Sequence, residues 1–146
     1  MKAQTIGYWA ATGLVGFAFL SGGAMDLSRG PDMLAGMAHL GYPAYFLSIL
    51  GTWKLLGALA ILAPKFPRLK EWAYAGMVFD LTGAAASHAF SGDPAGKVIT
   101  PLVLLGLVAA SWALRPAGRT IAPVAATATA AAAASPVGRL EASPAE

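Results

Sequence analysis

The chain contains no cysteine. That excludes disulfides, thiolate metal ligation, iron–sulfur clusters and thiol redox chemistry by its own side chains. Charge is scarce as well. Only 12% of the 146 residues are Asp, Glu, Lys or Arg, against about a quarter in a water-soluble domain. No Gly-rich phosphate loop, paired-carboxylate motif, Ser/His/Asp order or metal-ligand spacing is present, so the sequence announces no nucleotide, hydrolytic or metal chemistry. The net charge of +3 does not make a nucleic-acid surface, because the basic residues stand at the ends of apolar runs and not along one polar face.

What is there is apolar: 57% of residues are hydrophobic and the mean hydropathy is +0.62, which predicts an integral membrane protein of one domain. Residues 7–25 carry no charge and are long enough to cross a hydrocarbon core of about 30 Å at about 1.5 Å per residue. A cleaved signal peptide is the rival reading, with Lys2 as its basic start and Gly22-Gly23-Ala24 as its small-residue site. The apolar run exceeds the roughly 7–15 residues of such a segment and opens on Tyr8-Trp9, so it reads as a retained helix. Asp26 to Tyr42 is polar enough to leave the membrane. In it Pro31 suits a helix start and Gly41 a stop, while Met33, Leu34, Met37 and Leu40 share a face opposite Asp32, Gly36 and His39. This predicts a short amphipathic helix at the interface, serving as a connector or as a lid.

Further spans are predicted at about 43–63, opening at Pro43 and stopped by Pro64, and at 71–90, with Glu71 at the favourable end of the dipole. A last span at 94–114 takes Asp93 as N-cap and Pro94 as first helical residue. The expected fold class is all-α, a four-helix transmembrane bundle over residues 1–115 with the interfacial helix between its first two spans. Residues 116–146 turn to Ala, Pro, Thr and Ser and are expected to be a disordered tail. Lys2, Lys65, Arg68, Lys70, Arg115, Arg119 and Arg139 then share one side, against Arg29 and Lys97 on the other, which predicts cytoplasmic N- and C-termini. Tyr8, Trp9, Trp72, Tyr74 and Trp112 would mark the inner interface, Tyr42 and Tyr45 the outer.

Two charges interrupt the spans. Lys54 and Asp80 each lie thirteen residues from Pro67, one on either side, so an antiparallel hairpin sets their backbones level. Each falls roughly 12–14 Å into a half-core of about 15 Å, where an unpaired charge costs roughly 2.5–3.5 kcal/mol. Gly51, Lys54, Gly57 and Ala58 share one stripe, and Ala73, Gly76, Asp80, Gly83, Ala84 and Ser87 another, surfaces suited to close helix packing. The two charges are therefore expected to meet, as a structural ion pair that sets the register of the hairpin or as a functional intramembrane site. A second polar set, Asp26, His39, Ser87 and His88, falls towards the outer end and reads either as ordinary helix-end polarity or as a mouth with an imidazole near a carboxylate.

The segments His39-Leu40-Gly41-Tyr42-Pro43 and Lys54-Leu55-Leu56-Gly57-Ala58 resemble the DoxX-like family of small bacterial membrane proteins. So do Pro67 with Lys70-Glu71-Trp72-Ala73-Tyr74-Ala75-Gly76, Ser87-His88 and Gly92-Asp93-Pro94, a resemblance that covers about residues 5–115. It implies a four-helix protein of the bacterial inner membrane. The family takes its name from the membrane subunit of a thiosulfate:quinone oxidoreductase, so the resemblance implies an accessory or redox-associated, quinone-linked subunit with membrane or redox proteins as partners, and leaves the cofactor itself unassigned. It assigns no catalytic residue. A small membrane enzyme or lipid/quinone-binding protein using Lys54 and Asp80 is the alternative, and a proton-coupled transporter-like element the third. The small-residue stripes suit packing within one chain or between copies of it.

Overall fold

The computed structural model describes residues 2–121. Five α-helices and one 3-10 turn follow in order, with no strand among the described residues. They are α1 (Lys2–Ser28), α2 (Pro31–His39), α3 (Phe46–Leu62), α4 (Pro67–Phe90), α5 (Ala95–Ala113) and the turn Ala117–Arg119. Two of these, α1 and α5, are long and apolar enough to cross a membrane; α3 is apolar but shorter, at 17 residues. α4 has the length, at 24 residues, but carries Arg68, Lys70, Glu71 and Asp80.

The helix limits differ from expectation where turn chemistry decides. Pro43 does not open α3: a turn over Pro43–Tyr45 comes first, with the Phe46 amide donating to the Pro43 carbonyl at 3.0 Å. Pro67 does open α4, in the first-turn position where a missing N–H costs nothing, so Arg68 and Lys70 ride on the helix and not in the connecting turn. α2 and α4 end alike. Gly41 and Gly92 take positive φ (79° and 71°), and the amides of Tyr42 and Asp93 turn back to the carbonyls of Met37 and His88 at 2.9 and 3.0 Å. Only a residue without Cβ adopts that left-handed stop freely, and the turn folds the next side chain back over the helix it ends.

α1 packs on α3 and α5, and α4 packs on α5 and α3, so the four longer helices close a ring; α2 touches α3 only lightly. Val15, Phe19, Ala58, Ile61, Tyr74, Met77, Leu81 and Val108 form the core. It lies nearer the end that carries the α3–α4 turn, called here the basic end. Met33, Leu34 and Met37 of α2, with Leu40 just after it, are half-buried and the remainder of α2 is exposed, as its periodicity predicts. Outward faces carry Phe17, Trp53, Trp72, Phe79 and Phe90, each more than two-thirds exposed, a surface suited to lipid.

The small residues do not act where the sequence put them. The close approach is between α1 and α3: a Cβ on Gly51 would stand 2.7 Å from the Gly23 carbonyl oxygen, and one on Gly23 2.9 Å from that of Gly51. On the α3–α4 side, by contrast, nothing lies within 4 Å of where a Cβ on Gly76 or Gly83 would be. The stripes that were expected to bring α3 and α4 together leave a groove between them.

The basic end is closed by side chains expected to be solvated. Lys70 is fully buried, its ammonium donating to the carbonyls of Ala60 (2.8 Å), Ile61 (3.3 Å) and Ala63 at the C-terminus of α3. A cation there meets the negative end of the helix dipole and satisfies carbonyls that have no partner within the helix. Arg119 adds a bond to the Ile61 carbonyl (3.1 Å) and another to the Tyr8 hydroxyl (3.1 Å). Residues 116–121, expected to begin the tail, therefore hold a turn docked on the helices; the rest of that expected tail, 122–146, lies outside the described residues. Tyr8 and Tyr74 are buried and do not belong to an interfacial belt, whereas Trp9, Trp72 and Trp112 are exposed.

Gly51→Ala should force α1 and α3 apart and lower stability by about 1–3 kcal/mol. Gly13→Ala, where nothing lies within 4 Å, should raise it by about 0.5–1 kcal/mol through helix propensity. Thermal unfolding of both variants in detergent checks the contrast, and equal effects would contradict the packing described.

Candidate functional site

The site grows out of the Gly23–Gly51 contact. Asp26 lies one turn beyond Gly23 on α1 and Lys54 one turn beyond Gly51 on α3, and the two backbones are too close for a side chain to stand between them. Lys54 Nζ donates to Asp26 Oδ2 at 2.9 Å, and the Asp26 side chain is only 9% exposed. The ion pair expected between Lys54 and Asp80 is not formed. The reason is the lean of side chains on antiparallel helices: each Cα–Cβ bond tilts towards its own helix N-terminus. α3 starts at the α2 end and α4 at the basic end, so residues level at their backbones lean in opposite directions. Lys54 reaches up to Asp26, while the Cα–Cβ bond of Asp80 tilts the opposite way, towards the basic end.

Asp80 nonetheless stays within electrostatic reach of both Lys54 and Asp26. Among the described residues no hydrogen bond or ion pair reaches its carboxylate. Lys54 and Asp80 together line three cavities. The largest, about 410 Å³, runs between α3 and α4 from Leu69 and Trp72 up to the two charges, with Gly57, Ala60, Ala73 and Gly76 as its floor. A second, about 380 Å³, continues on the α5 side to His88 and Lys97. The third, about 270 Å³, lies under the α2 end, where Met37, Leu40, Tyr42 and Phe46 roof it.

The outer set of Asp26, His39, Ser87 and His88 is not one cluster. Asp26 belongs to Lys54, as above. Ser87 donates to the Gly83 carbonyl at 2.8 Å, so its bond with the Tyr42 hydroxyl (2.8 Å) has Tyr42 as donor. The two histidines converge on a residue expected to act as a helix cap. His88 Nδ1 (2.8 Å) and His39 Nε2 (3.1 Å) both meet Asp93 Oδ2, and Lys97 Nζ donates to Oδ1 at 3.2 Å. Asp93 makes no cap; Pro94 holds that position of α5. The glycine stop at Gly92 is what turns Asp93 back onto His88, and a histidine five residues before an aspartate across such a stop is the signal that could have found it. The His88 hydrogen bond first, then those of Lys97 and His39, hold the Asp93 carboxyl down to about 2, with burial opposing them. Through His39–Asp93 and Tyr42–Ser87, α2 and the loop after it are tied to α4 and its terminal turn.

A third polar chain was not foreseen. Thr12, Ser111 and Tyr74 are all buried, and the Ser111 hydroxyl bonds both Thr12 and Tyr74 at 2.7 Å, tying α1, α5 and α4. Beside it the Arg115 guanidinium lies over the Tyr74 ring at 5.1 Å and pairs with Glu71 at 2.8 Å. Hydroxyls scattered through apolar runs carry no periodic signature, and Arg115 reads in sequence only as a flanking charge.

These features define an all-helical protein of the membrane class, with apolar outward faces and a polar seam between its helices. In a comparison with protein families, the DoxX-like family matches residues 9–111, and the chain belongs to that family. The match contains every segment on which the resemblance rested. No curated protein and no solved structure is similar enough to this chain to count as a match.

Replacing Lys54 by Met leaves the buried Asp26 carboxylate without its partner and should destabilise the fold by on the order of 3 kcal/mol. Lys54→Met with Asp26→Leu should recover most of that, whereas Asp80→Asn should change stability by less than about 1 kcal/mol. Folded yield in detergent across the four proteins checks this; a double variant no better than Lys54→Met would contradict the pairing. The Asp93 carboxyl titrates below its ordinary value, so its contribution is complete above about pH 4 and is lost as pH falls towards about 2. Hydrogen exchange at residues 31–40, corrected for its intrinsic rate, should keep its protection from pH 7 to pH 4 in the native chain and lose it severalfold in Asp93→Asn.

Proposed function

We propose that this DoxX-like protein crosses the bacterial inner membrane with four helices, α1, α3, α4 and α5, and binds an amphipathic ligand dissolved in the bilayer. The apolar body of the ligand lies in the α3–α4 groove and its head group at Lys54 and Asp80. The basic residues at one end of the bundle support cytoplasmic termini, and the outward aromatic and aliphatic faces support a lipid setting for all four helices. α2 lies at the interface as a cover over the third cavity.

The observation that carries the reading is the groove itself. Its volume, about 410 Å³, falls within the usual range of small-ligand sites, its walls are apolar, and it ends on two charged residues. Such a gradient from apolar to charged matches a molecule with a greasy body and a polar head. A site built within one chain also favours binding over the purely accessory role that the family resemblance suggests. Quinone fits the groove in part. Lys54 has N–H groups beyond the one given to Asp26 and would hold a ring carbonyl, with Leu50, Leu56 and Met77 against the ring and tail. A neutral ring, however, leaves the Asp80 carboxylate without a partner.

Gly76→Leu fills the groove from one wall, where nothing lies within 4 Å of the added Cβ. Native mass spectrometry of the protein purified from its membranes should find a bound lipid-like molecule, with occupancy at least tenfold lower in Gly76→Leu. Equal occupancy in the two proteins would sink the proposal, since lipid bound only around the outside is indifferent to the groove.

A further inference from the structure

The charge around the groove is unbalanced. Asp26 and Lys54 pair at 2.9 Å, which leaves Asp80 at the head of an apolar slot with no hydrogen bond or ion pair of its own among the described residues. The remaining charged groups near the three cavities are already engaged: Lys97 with Asp93 at 3.2 Å, and His88 with the same carboxylate at 2.8 Å. An ionised carboxylate away from water is costly until a cation or several donors meet it. Trp53, next to Lys54 in sequence, also lines this slot while presenting part of its ring outward. An indole there offers a π face to a cation, an attraction that strengthens where water is excluded.

We infer that the ligand of the α3–α4 groove is a cationic amphiphile, a lipid-soluble ammonium or similar onium ion, held by the Asp80 carboxylate with Trp53 beside its charge. This rests on the amphiphile-binding reading above and adds the sign of the head group. An anionic head group is opposed by the two carboxylates, Asp26 and Asp80, against one ammonium. A neutral head group such as a ring carbonyl pairs only with a protonated Asp80, whereas a cation meets the ionised form directly. The cation supplies what the site lacks and is itself shielded from lipid by the carboxylate and the ring. Lys54 is already held by Asp26 at 2.9 Å, so a cation that meets Asp80 does not require that pair to open.

The test compares probes of one shape and opposite charge. Tetraphenylphosphonium, tetraphenylborate and a neutral short-chain benzoquinone are titrated against the full chain in detergent, with intrinsic tryptophan fluorescence as the readout. The phosphonium should bind at least tenfold more tightly than either of the others. Asp80→Asn should weaken it tenfold or more, and Asp80→Glu should keep most of the affinity. If Asp80→Asn does not fold, the native chain still answers. A hydrophobic carbodiimide should modify Asp80, and saturating phosphonium should protect it while the borate does not. Binding of borate or benzoquinone as tight as that of phosphonium would overturn the inference; loss of that binding in Gly76→Leu would leave the amphiphile site standing, and its persistence there would overturn that site as well. Phosphonium binding indifferent to Asp80→Asn would overturn it too. If none of the three probes binds, both readings fall.

Discussion

The near-contact of Gly23 and Gly51 is the constraint on which the site depends. With no side chain on either residue, α1 and α3 approach until each carbonyl oxygen occupies the space a Cβ would need. That distance places Asp26 beside Lys54, and the pair then removes the lysine from the reach of α4. Asp80 is left without a bonded partner among the described residues, and the groove between α3 and α4 stays open beside Gly76, where nothing lies within 4 Å of an added Cβ. A lattice of backbone approach on one side and backbone separation on the other comes from the same residue type. What differs is the neighbour.

The two ends of the ring are built differently. At the basic end, Lys70 and Arg119 bind the last carbonyls of α3, and Arg115 with Glu71 closes the gap between α4 and α5. Cations serve there as structural caps, and the core packs against them. At the other end the polar groups are bonded to one another across loops, His39 and His88 on Asp93 and Tyr42 on Ser87, above cavities instead of core. Local stability is expected to be lower where few apolar contacts hold an element, which is the condition of α2.

Much of this was legible beforehand. The apolar runs, the proline and glycine punctuation and the inward stripe of α2 follow from local rules and appear within a few residues of where they were expected. So does membership of the DoxX-like family, because the motifs that carry it are contiguous. The charges were harder. Equal spacing of Lys54 and Asp80 about Pro67 sets their backbones level, but a side chain several ångströms long ends elsewhere, and helix direction decides which way. Asp93 looked like a helix cap because its neighbour is proline; it is a histidine partner because Gly92 turns it backwards. Lys70 looked like a solvated turn residue because it follows Lys65 and Arg68, yet α4 begins at Pro67 and carries it inside.

The sequence by itself therefore determined the class of protein, the helices and the residues able to hold a charge within an apolar layer. These depend on composition and on periods of a few residues along one chain. Only the tertiary structure decided which of those residues meet. Pairing between helices depends on which faces lack side chains and on the opposite lean of antiparallel neighbours, and neither is a property of any one segment. Lys54 belongs to Asp26, and Asp80 to the groove, for that reason.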